Sequence, residues 1–191
     1  VVTCSPKAAE EPGLRRLASI VDWPVPAYPS DDVRLGVPSL LDLLAVVEES
    51  GAGIVHAATP GPLGVAGLLV ARALGLPFVA SHHTVGQGLT WFYGQAARVY
   101  VPTRVSGRGL MDAGVDPERI FIFGRGVDGE TFSPMHRSRQ MARRLAGDGA
   151  TVALYVGRVS KEKGMDALAD GFRLAAATRP GLSLAIVGDG P

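Results

Sequence analysis

The chain lacks several features that would assign it to a specialised class. Its 191 residues include one cysteine, Cys4, which excludes an internal disulfide framework. Aromatic residues make up 6% of the sequence and the formal net charge is +1, a balance that argues against an electrostatic nucleic-acid binder. The longest apolar segment contains Arg72 and ends at Pro77, short of the ~18 residues that a transmembrane helix requires. We therefore expect neither a nucleic-acid partner nor a membrane span.

Short apolar runs instead alternate with helix-length segments along the chain. This alternation predicts an α/β protein with parallel sheets. Ser39 and Thr103 are expected to cap helices. The predicted strands are Val1–Thr3, Val33–Leu35, Gly53–His56, Phe78–Ser81, Val99–Val101, Ile120–Phe123, Thr151–Val156 and Ser183–Val187. The predicted helices are Ser39–Ser50, Leu63–Leu74, Trp91–Ala97, Arg104–Ala113, His136–Ala146 and Met165–Thr178.

Two stretches of different composition interrupt this pattern. Residues 5–32 contain five prolines and predict a surface loop with a short helix at Leu14–Ile20. Residues 124–135 are rich in glycine and polar side chains and predict a linker. We therefore assign residues 1–130 to a first domain and residues 131–191 to the start of a second.

The segment Tyr155–Gly164 predicts a buried strand, a glycine turn and the start of a helix. Arg158 and Lys163 lie on this turn, and Gly157 allows the backbone to come close to a ligand. Two cations beside a helix N-terminus suit a phosphate group, because arginine offers a planar fork and lysine a point charge. A solvated basic turn is the alternative interpretation.

Two other motifs bear on ligand binding. The stretch Gly124–Gly129 fits the pattern G-x-G-x-x-G, but Pro134 follows too soon for the long helix of a dinucleotide site, so we favour a turn. His82 and His83 follow a predicted strand, at the sheet edge where α/β proteins bind ligands. Adjacent strand side chains point in opposite directions and no acid or cysteine lies nearby, which argues against a metal site. A hydrogen-bonded loop histidine remains an alternative.

Several of these motifs occur together in one known family. In their order and spacing they resemble the retaining glycosyltransferases of the GT-B fold, family 4, and within it the α-mannosyltransferase and sulfoquinovosyltransferase branch. Relative to that family, we expect the chain to be truncated at both ends. The matching stretches are Ile54–Gly64, Pro77–Thr84, Gly124–Asp128, Tyr155–Arg158, Glu162–Gly164 and Val187–Pro191.

The resemblance implies a fold and an activity. The fold is α/β, of the GT-B type, with two Rossmann-like domains of which the second is incomplete. The activity is transfer of a hexose, with mannose as the first candidate, with retention of configuration and without a metal or a cofactor. The donor is GDP-mannose or a UDP-hexose, and the acceptor is a lipid or glycolipid. The location implied is the cytoplasm, with a peripheral position at the inner membrane surface left open.

The resemblance also implies roles for individual residues. It places His83, Arg158 and Lys163 in catalysis. An acceptor-side cleft would be lined by Thr59, Pro60 and Gly61, and a rigid turn is an equal alternative for these three. For Asp128 the alternative is an exposed acid in a turn. An inactive chain that binds only nucleotide or a partner, and a sugar-nucleotide epimerase of the same fold, remain open. The donor-binding set is Gly157, Arg158, Lys163, Asp128 and Gly188.

Overall fold

A computed structural model describes residues 1–5, 9–24, 34–83, 89–124, 126–147 and 151–190. Val33, Thr84, Pro191 and residues 6–8 and 25–32 of the predicted loop lie outside the described residues. The chain divides into two compact units, Val1–Gly126 and Val127–Pro191. Each unit is an α/β structure with its own parallel strands.

The first unit begins with a small mixed sheet built around one long strand. Strand β3 (Leu14–Pro24) pairs in parallel with β1 (Val2–Ser5) and antiparallel with β2 (Ala9–Glu11) and β4 (Arg34–Pro38). The surface loop predicted for residues 5–32 is therefore wrong where the structure describes it as strands, and so is the helix predicted at Leu14–Ile20. Pairing with three neighbouring strands satisfies the backbone of this segment, and its β-branched and aromatic residues favour a strand.

A four-stranded parallel sheet forms the centre of the first unit. Its strands run in the order β5 (Val55–Ala57), β6 (Phe78–Ser81), β7 (Arg98–Val101), β8 (Ile120–Ile122), so each chain neighbour is also a spatial neighbour. Helix α3 (Thr90–Gly94) ends three residues before the predicted end, and the other predicted elements here agree within about two residues. The elements are α1 (Leu40–Glu49), β5 (Val55–Ala57), α2 (Pro62–Ala73), β6 (Phe78–Ser81), α3 (Thr90–Gly94), β7 (Arg98–Val101), α4 (Arg104–Asp112) and β8 (Ile120–Ile122).

One face of this sheet carries the main hydrophobic core. Phe78 and Ala80 of β6 and Val99 and Val101 of β7 alternate along their strands and are all buried. Side chains from α2, α3 and α4 cover them. The covering residues include Leu68, Ala71, Phe92, Tyr93 and Leu110.

Local signals set the ends of the helices. The Ser39 hydroxyl accepts the Asp42 N–H at the start of α1 at 3.3 Å. The Thr103 hydroxyl accepts the Ser106 N–H at the start of α4 at 3.1 Å. Both predicted caps are confirmed, because each side chain satisfies a backbone donor that the helix itself leaves unpaired.

The second unit contains one βαβ segment preceded by a helix. Strands β9 and β10 pair in parallel, from Thr151 opposite Leu182 to Val156 opposite Val187. Two single 3₁₀ turns, Pro134–His136 and Lys161–Lys163, also occur here. No helix in the described parts of either unit is long and apolar enough to cross a membrane. The elements are α5 (Arg139–Ala146), β9 (Thr151–Val156), α6 (Met165–Thr178) and β10 (Leu182–Val187).

Candidate functional site

The loops that follow β9 and β10 remain paired beyond the ends of the strands. The Gly157 N–H donates to the Val187 carbonyl at 3.0 Å, and the Val159 N–H donates to the Asp189 carbonyl at 3.0 Å. A Cβ atom at Gly188 would lie 1.9 Å from the Gly157 carbonyl oxygen, and Gly188 has a φ of 147°. Only glycine therefore fits at Gly188, and the two loops form one backbone-lined edge.

The side chain of Tyr155 makes a hydrogen bond to the loop that follows β9. Its hydroxyl donates to the Arg158 carbonyl at 2.6 Å. A Cβ atom at Gly157 would approach the same hydroxyl to 3.0 Å, and Gly157 has a φ of 156°. The Tyr155 phenol therefore packs closely against a residue that has no Cβ atom. Its hydrogen bond fixes the backbone of the loop that carries the Arg158 side chain.

Arg158 forms an ion pair within the turn. Its guanidinium Nη2 lies 3.1 Å from a carboxylate oxygen of Glu162. The single 3₁₀ turn Lys161–Lys163 brings Glu162 back towards Arg158. The Ser160 hydroxyl is the main cause that lowers the pKa of Glu162, followed by the Glu162 N–H and the nearby Arg158 and Lys163 cations. Glu162 is therefore an anion at neutral pH.

Ser160 is the most buried polar residue of the second unit. Its side chain is 7% exposed, and its hydroxyl has no hydrogen-bond partner at bonding distance among the described residues. It lies close enough to the Glu162 carboxylate to lower the pKa of that group without reaching hydrogen-bond distance. A buried hydroxyl without a partner is uncommon and unfavourable.

Lys163 occupies the end of the 3₁₀ turn, directly before α6. Its side chain is exposed, and Gly164, which follows it, has a φ of 68° that begins the 14-residue helix. The N-terminus of a helix of this length carries a partial positive charge. Arg158, Lys163 and the start of α6 therefore all lie on the segment that follows β9, with Glu162 as the anion between the two cations.

In the first unit, the adjacent histidines after β6 have different environments. His82 packs edge-on against buried Tyr93, with ring centroids 5.0 Å apart, whereas His83 is exposed. Burial, and then the neighbouring His83, lower the pKa of His82, so its ring is neutral at neutral pH. Neither His82 Nδ1 nor the Tyr93 hydroxyl has a hydrogen-bond partner within the described ranges. His83 is thus the more exposed of the two histidines, at the carboxyl edge of the sheet.

Thr59, Pro60 and Gly61 lie at the same edge, after the neighbouring strand β5. Gly61 precedes α2, and a Cβ atom at Gly64 would lie 2.1 Å from the Thr59 carbonyl oxygen. The loop therefore rests directly on the first turn of α2. Because β5 and β6 pair in parallel, this loop and His83 emerge at the carboxyl ends of adjacent strands.

Asp128 has a local role in the second unit. Its carboxylate accepts the N–H groups of Glu130 at 3.0 Å and Thr131 at 3.3 Å, and also the Thr131 hydroxyl. These hydrogen bonds, that of the Thr131 hydroxyl first, lower the pKa of Asp128. The structure therefore uses this acid to stabilise a turn, and its contact with a donor stays a prediction. No group of three or more His, Cys, Asp or Glu residues in the described part of the chain could hold a metal ion.

Apart from Asp128, the predicted site residues thus lie at two sheet edges, one in each unit. Gly157, Arg158, Lys163 and Gly188 lie at the edge of the second unit, and His83 and the Thr59 loop lie at that of the first. Sequence reasoning did not identify the hydrogen bond of the Tyr155 hydroxyl, the burial of Ser160 or the ion pair between Glu162 and Arg158.

Comparisons with known proteins agree on one family. The profile of Glycosyltransferase Family 4 matches residues 1–131. A GDP-mannose-dependent alpha-mannosyltransferase of Mycobacterium tuberculosis is 33% identical over 173 residues, which cover 82% of this chain and 44% of that protein. The sulfoquinovosyl transferase SQD2 of Arabidopsis thaliana is 26% identical over 212 residues, covering 100% of this chain and 40% of that protein.

Solved structures share the fold. Anabaena HepE in complex with UDP-glucose superposes with a TM-score of 0.64 at 20% identity, covering 80% of this chain and 43% of that one. A glycosyltransferase from Rickettsia africae superposes with a TM-score of 0.56 at 10% identity, covering 78% and 50%. The chain spans less than half the length of the curated relatives it matches. Its α/β fold is of the GT-B type, and the chain belongs to glycosyltransferase family 4.

Proposed function

We propose that this protein transfers a hexose from a nucleotide-diphosphate sugar to an acceptor hydroxyl. The observation that carries the proposal is the edge of the β9–β10 sheet. There, Arg158 and Lys163 flank two loops that only glycine allows to pack together, at the start of α6. Such a place suits a diphosphate, because backbone, cations and helix N-terminus all favour negative charge.

The same groups would assist the chemistry of transfer. As the bond between the sugar and the diphosphate breaks, negative charge builds on the leaving group. Arg158 and Lys163 would stabilise that charge, which lowers the barrier without a metal ion or cofactor. The unpartnered Ser160 hydroxyl offers one further donor for a phosphate oxygen. Retention of configuration is part of the proposal.

The relatives favour a mannosyl donor. Two curated relatives, 33% and 32% identical to this chain, carry the name GDP-mannose-dependent alpha-mannosyltransferase. A UDP-hexose is the second choice, because the structurally similar HepE was solved with UDP-glucose. We therefore propose GDP-mannose as the first donor to test.

The first unit would supply the acceptor side. Residues 1–130 would form the acceptor domain and residues 131–191 the start of the donor domain. His83 would lie beside the donor sugar, with Thr59, Pro60 and Gly61 at the acceptor and Asp128 near the donor. The proposed acceptor is a lipid or glycolipid, reached from the cytoplasm at the inner membrane surface.

A thermal-shift titration tests the donor site. We expect GDP-mannose to raise the melting temperature, because a ligand at about 100 times its Kd stabilises the folded state by about 2.7 kcal/mol. The shift should disappear in Arg158→Ala. It should persist in Arg173→Ala, which removes an exposed arginine from α6 of the same unit.

Two other outcomes would count against the proposal. Stabilisation by NAD but by no sugar nucleotide would indicate a dinucleotide site. An equal shift of the melting temperature in Arg158→Ala and in the parent protein would show that the turn is not part of the binding site. If donor binds as expected, NMR of the product's anomeric proton reports whether configuration is retained.

A further inference from the structure

We propose that Glu162 is a placeholder for the donor diphosphate: its carboxylate occupies the Arg158 guanidinium in the ligand-free protein and leaves it when phosphate arrives. This inference rests on the proposed function, since it concerns the same turn. It assigns to Glu162 an effect on donor affinity that opposes that of Arg158 and Lys163.

The geometry of the ion pair supports an exchange of partners. The carboxylate lies 3.1 Å from Nη2 of Arg158, where a phosphate oxygen would bind the same group. The Arg158 and Glu162 side chains are 47% and 41% exposed, so the pair is not sealed in the core. Ion pairs this open to water are weak and exchange readily.

Charge also favours departure of the carboxylate. A bound diphosphate would place two negative charges near the single charge of Glu162, and like charges at such distances repel. A diphosphate also presents more acceptor oxygens than a carboxylate to the Arg158 fork, to Lys163 and to the buried Ser160 hydroxyl. Glu162 must therefore give up Arg158, and the free energy of breaking that pair is subtracted from donor binding.

The substitution Glu162→Gln tests this by the sign of its effect. Calorimetric titration with GDP and UDP should show about two- to fivefold tighter binding than in the parent protein, the factor that corresponds to an exposed ion pair. A residue that merely held Arg158 in position would have the opposite effect, because its loss would weaken binding. The glutamine keeps the size and shape of the side chain.

A matched control comes from α6. Asp170 pairs with Arg173 at 3.0 Å, three residues apart and exposed like the Glu162 pair. Asp170→Asn makes the same change in net charge and also breaks an ion pair in the second unit. We expect its affinity for GDP and UDP to remain within about 1.4-fold of the parent value.

Titration with inorganic pyrophosphate separates the two proposals. Tighter pyrophosphate binding in Glu162→Gln, together with no binding of GDP or UDP, would support the placeholder and overturn the donor site. Unchanged or weaker binding of every probe in Glu162→Gln overturns the placeholder, and binding of GDP by the parent would still support the donor site. No binding of any of the three probes to either protein would overturn both.

Discussion

At the scale of single residues, the two glycine loops tolerate no side chain where they meet. The Gly188 position combines a positive φ with a backbone oxygen 1.9 Å from where a Cβ would stand. Backbone atoms cannot move aside as a flexible side chain can, because the β9–β10 hydrogen bonds hold both loops. The cost of a substitution there should therefore be large.

Alanine substitutions at two glycines of the second unit test this. We expect Gly188→Ala to lower the free energy of unfolding by more than about 3 kcal/mol, the range of strained and overpacked sites. Gly171→Ala adds the same methyl group inside α6, where nothing lies within 4 Å, and should raise it by about 0.5–1 kcal/mol. Urea denaturation measures both. Equal effects at the two positions would contradict the close packing of the loops.

The residue scale also shows what sequence reasoning could find in the site. Glycine turns and cations beside the start of a helix are local sequence patterns, so Gly157, Arg158 and Lys163 could be predicted as site residues. The Tyr155 hydroxyl bond and the burial of Ser160 depend on which way side chains turn in the fold. The same holds for Glu162, whose ion pair with Arg158 depends on the conformation of the chain between them.

At the scale of elements, predictions succeeded where local signals agree with tertiary packing. The ranges of β6, β9 and α6 were predicted to the residue, because each apolar run is bounded by glycine, proline or polar residues. The helix predicted within Leu14–Pro24 was wrong because this segment becomes a strand by pairing with β1, β2 and β4. Of these strands, β1 and β4 are separated from it by more than three residues of sequence. Pairing between distant segments leaves no local signature.

A helix cap provides the prediction at this scale. Thr103→Ala removes the hydroxyl that accepts the Ser106 N–H at 3.1 Å, and should lower the free energy of unfolding by about 1 kcal/mol. Thr103→Ser keeps the hydroxyl and should change it by less than half as much. Urea denaturation again measures the difference. A loss of the same size in both variants would mean that the Thr103 methyl group, rather than the cap, stabilises α4.

At the scale of the whole molecule, the two units differ in how much core they contain. Both clusters of buried hydrophobic residues lie in the first unit. In the described part of the second unit, Ala185 is the only buried hydrophobic residue, and Leu154 and Val156 of β9 are largely exposed. Since burial of apolar surface is the main driving force of folding, the second unit should be the less stable one.

Hydrogen–deuterium exchange with mass spectrometry can compare the units directly. We expect peptides that contain β9 and β10 to exchange at least about tenfold faster than peptides that contain β6 and β7, because opening the second unit exposes less apolar surface. GDP-mannose should slow exchange at 157–164 and 187–190, while peptides from α1, distant in sequence from the turn, serve as an internal control. Equal protection of all four strands would instead show that the chain opens as one cooperative unit, whose stability the core of the first unit sets throughout.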